Sequence, residues 1–403
     1  MTSSMVQSGQ GGMKAATSQV SEQDVLLAID RLRPMIEHHR DEAEQQRYLP
    51  EQVVAAMATE GLFNLWAPGE YGGSEVPIPT FMKAVEETSR IDGAAGWTLG
   101  ILAGGNLLTA YVEPDAGREI YAGGLNQPMP GTVIPNGRLT EVDGGFKASG
   151  RWPLVSGSQY GDWIGGAGLI FEGDAPRIGP AGMPELMAFF LRREDCQLLD
   201  TWHSVGMRGT GSGDFSVTDA FVPAKFVFPA LMGESHVAGA IYAAGPLVLF
   251  SMGLTAVYPG IARAAIDAFV EMARSKTPTL SHTGLAVRPT IHAEVARAEA
   301  RLQSARAYLY EVADELMESL QGGNGVPEAL EARRRLACVN AAEASRSVVD
   351  AMFALAGATP VYTGHKLERC LRDIHTATQH LLVSPVWWEK TGQFYFGQGL
   401  GMP

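Results

Sequence analysis

The chain has 403 residues, 46% hydrophobic and 19% charged, which is globular composition and enough length for two or three packed domains. A net charge of −13 excludes the basic footprint of a nucleic-acid-binding protein. Cys196, Cys338 and Cys370 are scattered, form no CxxC pair and are odd in number, so no disulfide framework is expected and the thiols suit a reducing cytoplasm.

Residues 1–20 are polar and rich in Gly and Ser, with no apolar stretch; they read as a disordered tail and not a signal peptide. Residues 21–125 read as a helical domain. Val25, Ile29, Leu32 and Ile36 recur at spacings of 4, 3 and 4, one face of a helix. Pro50 stands where the next helix begins and Gly61 where it ends. Ala94–Val112 carries no charge and could imitate a membrane span, but Gly96, Gly100, Gly104, Gly105 and Asn106 interrupt it. A helix buried inside protein is expected, with no membrane association.

Residues 126–235 change character. LTEVDGGFKASGRW alternates around Asp143-Gly144, a hairpin signal. DWIGGAGLIF and ELMAFFLRR are strand-like, and DFSVTDAFVP alternates through Phe215, Val217 and Phe221 before Pro223. A small antiparallel β-barrel or sandwich is expected. Residues 236–403 are helical again. Ile291, Val295, Ala298, Leu302, Ala305, Leu309, Val312 and Leu316 alternate spacings of 4 and 3, the seam of a bundle. A second long helix spans about 327–355, Gly357 ends it, and a last helix begins near Gly364. The fold class is α+β: helical domain, antiparallel β-barrel, four-helix bundle.

The residues alone leave several sites open. The glycines of HSVGMRGTGSGDFSVTDAFVP, from His203, lack the Lys-Ser/Thr of a phosphate loop and precede a strand, so a tight turn is the simpler reading. His375 and His380, five apart, would lie about 140° round a helix from one another, so no metal site is expected. Arg369 and Asp373 are spaced to pair on a helix. Ser156 reads as an ordinary strand or turn serine, with Ser158 as an alternative.

The stretch W-x-x-x-G-M-R-G-T-G-S followed by FVP, together with the domain order, resembles the acyl-CoA dehydrogenase superfamily. The dehydrogenases of that superfamily carry a carboxylate base after the RD helix; RDIHTATQHLLVSP has none. The chain is more similar to the oxygenase components of two-component flavin-dependent monooxygenases, on His380 with Pro385 and Trp387-Trp388 downstream, and on Ser156 in WPLVSGSQYGDW.

What that resemblance implies is a reduced-flavin-dependent monooxygenase. It would take FMNH2 or FADH2 from a separate NAD(P)H-dependent flavin reductase, use O2 through a C4a-hydroperoxyflavin, and oxygenate a small aromatic, heteroaromatic or amine-type substrate. His380 and Ser156 would be catalytic: the serine at flavin N5, the imidazole near the peroxide, donating to it and passing a proton when needed. Trp152, Ser156, Gly157, Arg208, Gly209, Thr210, Ser212 and Arg372 would bind the flavin. Trp97, Asn106, Thr132 and Trp387 would contact substrate, and Trp387 or Trp388 would help seal the site. The phenol hydroxylases' histidine in the early buried helix is replaced by Gly104, Gly105 and Asn106. The R-x-x-F-G motif of FAD-binding members is replaced by RSKTPTLSHTG, which tilts the expectation to FMN. A cytoplasmic homotetramer is expected. The alternatives are a dehydrogenase or oxidase with an unrecognised base and a catalytically silent flavin-binding protein.

Overall fold

In the computed structural model, which describes residues 20–180, 182–230 and 233–401, the chain enters α1 (Glu22–Gln46) through a capping box. The Ser21 hydroxyl accepts the Asp24 N–H while the Asp24 carboxylate accepts the Ser21 N–H. The tail expected over 1–20 lies outside the described residues apart from Val20. α1 buries Val25, Ala28, Ile29, Leu32 and Ile36. α2 (Glu51–Thr59) follows Pro50, and Gly61 turns the chain at φ 76°, a conformation that favours glycine.

α3 (Ile78–Ile91) and α4 (Gly93–Gly104) are split by Asp92, whose carboxylate caps α4 by accepting the Ala95 N–H at 3.0 Å. α4 runs into a 3-10 turn (Gly105–Ala110), and this stretch is buried within the protein. Its tight packing explains the small residues: a Cβ on Gly105 would meet the Met129 carbonyl at 1.9 Å. Asn106 is fully buried. Its amide donates to the Phe63, Leu102 and Gln127 carbonyls at 2.9–3.0 Å, and its oxygen accepts the Tyr121 hydroxyl at 2.9 Å. The expected substrate contact at Asn106 is therefore corrected: this side chain fastens the 3-10 turn. α5 (Pro114–Ile120) closes the helical region.

The central sheet has eight strands: β1 (Gly137–Val142), β2 (Gly145–Trp152), β3 (Trp163–Glu172), β4 (Ala175–Pro176), β5 (Leu186–Arg192), β6 (Gln197–Leu199), β7 (Asp214–Pro223) and β8 (Val227–Pro229). Their order is β6-β7-β2-β1-β3-β5-β8, with β4 paired to β3. The sheet is mixed, not wholly antiparallel. β2 has both edges filled, by β1 and β7, so β3 adds to the free edge of β1 and runs parallel to it. The expected alternation in β7 also breaks. Asp219 adopts φ 52° and the register against β2 shifts between Ala148 and Gly150. This bulge turns Phe221 out to 51% exposure and Val222 in.

α6 (Pro246–Thr255) and α7 (Val257–Ser275) follow. Pro246–Ser275 is apolar and long enough to cross a membrane by composition, yet 78% of its most apolar window is buried in the protein. α7, α8 (Pro289–Gln321), α9 (Glu328–Leu355) and α10 (Lys366–Ala377) pack as a four-helix bundle. α8 buries Ile291, Ala298, Leu302, Ala305, Leu309, Val312 and Leu316 along its seam. The expected last helix is two. α10 stops at Ala377, a 3-10 turn covers Leu381–Val383, and α11 (Val386–Tyr395) resumes.

Replacing Asn106 with Ala takes this donor from the buried Phe63 and Gln127 carbonyls, while the Tyr121 hydroxyl keeps Thr109 at 3.1 Å and the Leu102 carbonyl keeps the Met129 N–H at 3.0 Å. Stability should fall by roughly 2–4 kcal/mol, since each unpaired buried group costs about 1–3 kcal/mol before relaxation. Urea unfolding measures it; a loss below about 0.5 kcal/mol would contradict this role.

Candidate active site

Three segments distant in sequence line one cavity of about 870 Å3: α4 with its 3-10 turn, the sheet-domain loops carrying Ser156 and Thr210, and the chain just after α10. α6 closes one side with Leu247, Phe250 and Leu254. A second concavity of about 890 Å3, beside α7 and α8, brings together none of the expected residues; Arg90 and Arg263 on its wall are paired with Asp267 and Glu299.

Trp97 lines the first cavity. Its indole N–H donates to Ser156 Oγ at 3.1 Å, and its ring meets His380 edge-on with centroids 5.3 Å apart. Ser156 Oγ lies 2.7 Å from Ser212 Oγ, which lies 2.6 Å from Thr210 Oγ1. Thr210 donates to the Met207 carbonyl at 2.9 Å. That last bond uses the only proton on Thr210, so Ser212 donates to Thr210 and Ser156 donates to Ser212. The row has one direction. Ser156 accepts from Trp97, gives its proton to Ser212, and keeps one lone pair unused beside the cavity.

Met207 anchors this row. It adopts φ 53°, a left-handed conformation costly for a residue with a side chain. Its N–H donates to Asp373 Oδ1 at 2.5 Å, and its carbonyl also accepts the Trp202 indole N–H at 3.0 Å. Asp373 is therefore not the helix partner of Arg369, which pairs with Asp41 and Glu44. Burial, and then the neighbouring Asp92, push the Asp373 carboxyl up to about 7.

His380 lies beyond α10, so it shares no helix with His375. Its N–H donates to the Ala377 carbonyl at 3.1 Å, and the Tyr258 hydroxyl holds that same carbonyl at 3.2 Å. Nδ1 accepts the Leu382 N–H at 3.3 Å. His380 lines the cavity, and burial pushes its pKa down to about 4. At neutral pH the imidazole is uncharged with its proton on Nε2.

Of the other expected residues, Thr132, Thr210, Ser212 and Arg372 line the cavity. Arg372 is held by Glu368, by Glu44 at 2.6 Å and by the Val205 carbonyl at 3.0 Å. Gly157, at φ 69°, makes the turn after Ser156. Six of the expected residues do not line this cavity. Trp152 is a core residue stacked on Phe215, its N–H on the Ala167 carbonyl. Asn106 is structural, as above. Arg208 reaches the Glu44 and Ser204 carbonyls, and Gly209 lets the loop pack on Ala43 and Ala94. Trp387 is buried outside the cavity and donates to the Leu381 carbonyl at 2.7 Å, fixing the turn whose Leu381 and Leu382 line the wall. Trp388 is on the surface, bonded to Glu343. The direction of the hydroxyl row and the Asp373 anchor escaped sequence reasoning, which carries no signal for either. No Asp or Glu lines the cavity among the described residues.

The chain matches two family models, the acyl-CoA dehydrogenase N-terminal domain over residues 28–115 and the C-terminal domain over 252–385. It is 32% identical over 359 residues to an indole-3-acetate monooxygenase of Pseudomonas putida, covering 89% of this chain and 90% of that one. It is 27% identical over 391 residues to HsaA of Mycobacterium tuberculosis, a flavin-dependent monooxygenase oxygenase subunit, covering 94% and 96%. The HsaA crystal structure superposes with a TM-score of 0.82 at 25% identity over 95% of this chain and 99% of that one. XiaF from Streptomyces, solved with FADH2 and glycerol, shares the fold with a TM-score of 0.86 at 22% identity over 95% and 97%.

His380 and Asp373 pull stability in opposite directions with pH. His380, lowered from 6.5 to about 4, contributes fully above pH 6.5 and loses its contribution as pH falls through 4. Asp373, raised from 3.8 to about 7, contributes fully below pH 3.8 and loses it as pH rises through 7. Between pH 4 and 7, His380→Asn should therefore gain less stability with rising pH than the unaltered protein, and Asp373→Asn should gain more. Melting temperature against pH checks both signs; unchanged slopes would contradict them.

Proposed function

The chain belongs to the acyl-CoA dehydrogenase family, as a flavin-dependent monooxygenase of that fold, and from that premise we propose that the Trp97–Ser156–His380 cavity holds reduced flavin and oxygenates a small aromatic or heteroaromatic molecule. One observation carries this reading: the wall offers a directed hydroxyl row and a neutral histidine, with no Asp or Glu among its described residues. An acyl-CoA dehydrogenase needs a carboxylate base at that wall.

The residues fit a flavin. The cavity volume of about 870 Å3 falls in the range of about 300–1,000 Å3 typical of cofactor and ligand sites. The unused lone pair on Ser156 suits the N5–H that reduced flavin carries and oxidised flavin lacks. Thr210 and Ser212 hold that lone pair in place, and Gly157 shapes the turn. Bound reduced flavin supplies two electrons to O2, of which one atom enters the substrate and the other leaves as water.

His380, neutral with Nε2–H, donates a hydrogen bond into the cavity; it is not an imidazolium acid at neutral pH. Trp97 keeps the histidine and the serine in one arrangement. Leu381, Leu382 and the α6 residues exclude water, whose entry diverts reducing equivalents to H2O2. FMNH2 is preferred to FADH2, because RSKTPTLSHTG stands in place of the dinucleotide-binding R-x-x-F-G. A separate NAD(P)H-dependent reductase supplies the flavin, as the oxygenase-subunit name of HsaA supports. A homotetramer is supported by apolar side chains left uncovered at the bundle, including Val361, Tyr362, Tyr395 and Phe396. A cytoplasmic location is supported by the free thiols of Cys196, Cys338 and Cys370.

The test is reconstitution with a flavin reductase, NADH and O2, measuring product and H2O2 together. His380→Asn should slow oxygenation by about 10²–10⁴-fold and shift the balance to H2O2. Trp97→Phe, which keeps a ring but removes the N–H, should reduce coupling by roughly 5–10-fold, the worth of one net hydrogen bond. Unaided NADH oxidation by this protein, or unchanged coupling in both variants, would overturn the proposal.

A further inference from the structure

Four ionisable side chains line the cavity among the described residues: His203, Arg372, His375 and His380. None is a cation free to meet a substrate. Arg372 is enclosed by Glu368, Glu44 and the Val205 carbonyl. His375 Nε2 is bound to Asp350 at 2.7 Å on an exposed helix face. Both ring nitrogens of His203 lie within 3.3 Å of an Arg47 guanidinium nitrogen, and Arg47 is itself paired with Asp200 at 2.6 Å. His380 is uncharged, with Nδ1 committed to Leu382. No carboxylate faces the cavity among the described residues either, so an ammonium group would find no counter-charge.

The remaining polar groups are mostly engaged with their own backbone. Ser204 donates to the Gly206 carbonyl, Thr376 to the Arg372 carbonyl and Gln379 to the His375 carbonyl, at 2.7–3.2 Å. Thr132 differs: its oxygen accepts the Ile134 N–H at 3.2 Å, and its hydroxyl proton has no partner among the described residues. The rest of that wall is apolar, with Ile101, Leu108, Met129, Phe190, Leu247 and Phe250 among its members.

We infer that the substrate is electrically neutral: a small aromatic or heteroaromatic molecule carrying neither carboxylate nor ammonium, with an acceptor for Thr132. The inference rests on the reading of this cavity as the oxygenation site, and it separates this chain from its relative named for indole-3-acetate. A carboxylate brought here would lose its water without gaining a cation. A neutral amide of the same shape loses far less and can accept from Thr132.

Indole-3-acetamide and indole-3-acetate differ in charge and hardly in size. Equilibrium dialysis of each against the protein loaded anaerobically with reduced FMN reads binding without turnover. The amide should bind about 100-fold or more tighter than the acid, the scale expected for an unpaired buried charge. Thr132→Val should weaken the amide by about 5-fold, one net hydrogen bond. Equal or tighter binding of the acid overturns the inference, as does binding of neither ligand. Aerobic turnover is read separately. An amide preference without oxygenated product leaves the charge inference standing and removes the monooxygenase reading. Oxygenation of both ligands with equal affinity does the reverse.

Discussion

The indole of Trp97 is the contact on which the rest of the site depends. It belongs to the buried helix α4, donates its N–H to a serine of the sheet domain, and lays its edge against a histidine of the C-terminal region. Three regions of the chain that share one continuous core meet at this rigid side chain. A tryptophan suits this task because its ring fixes position through packing while its single N–H fixes direction.

That direction propagates. Trp97 can only donate, Thr210 is committed to the Met207 carbonyl, and so the protons of Ser156 and Ser212 have one consistent arrangement. Met207 is held in its left-handed conformation by Asp373, from the helix that ends just before His380. The circuit therefore leaves the C-terminal bundle at Asp373, crosses the sheet-domain loop and α4, and returns at His380. Its members are hydroxyls, an indole and a neutral imidazole. A wall of this kind can orient a polar edge without drawing in the water that a fixed charge would hold.

Much of the fold was legible because it follows periodicity. The α1 face, the α8 seam and the Asp143-Gly144 hairpin are patterns of local spacing, and their burial follows from them. Strand order is not local. That β3 joins β1 in parallel follows from which edge β2 leaves free, and the outward turn of Phe221 follows from a bulge at Asp219. In the site, Ser156 and His380 stood out through motifs shared with a family, and both line the cavity. Trp152, Asn106 and Trp387 are large or polar residues near such motifs, and composition does not distinguish a wall from the layer behind it. Asp373 looked like half of an i, i+4 pair with Arg369; its role is visible only once the Met207 loop is folded against it.

The central claim is that the hydroxyl row leaves Ser156 as an acceptor, so that the cavity selects flavin by its redox state. Anaerobic titration with reduced and with oxidised FMN tests this most directly, on the unaltered protein and on Ser212→Ala. In the unaltered protein reduced FMN should bind about 10-fold more tightly, the scale of one net hydrogen bond. In Ser212→Ala the proton of Ser156 is no longer committed and can turn toward an acceptor, so the preference should shrink toward equality. Equal binding of the two forms by the unaltered protein, or a preference that survives the loss of Ser212 undiminished, would contradict the account.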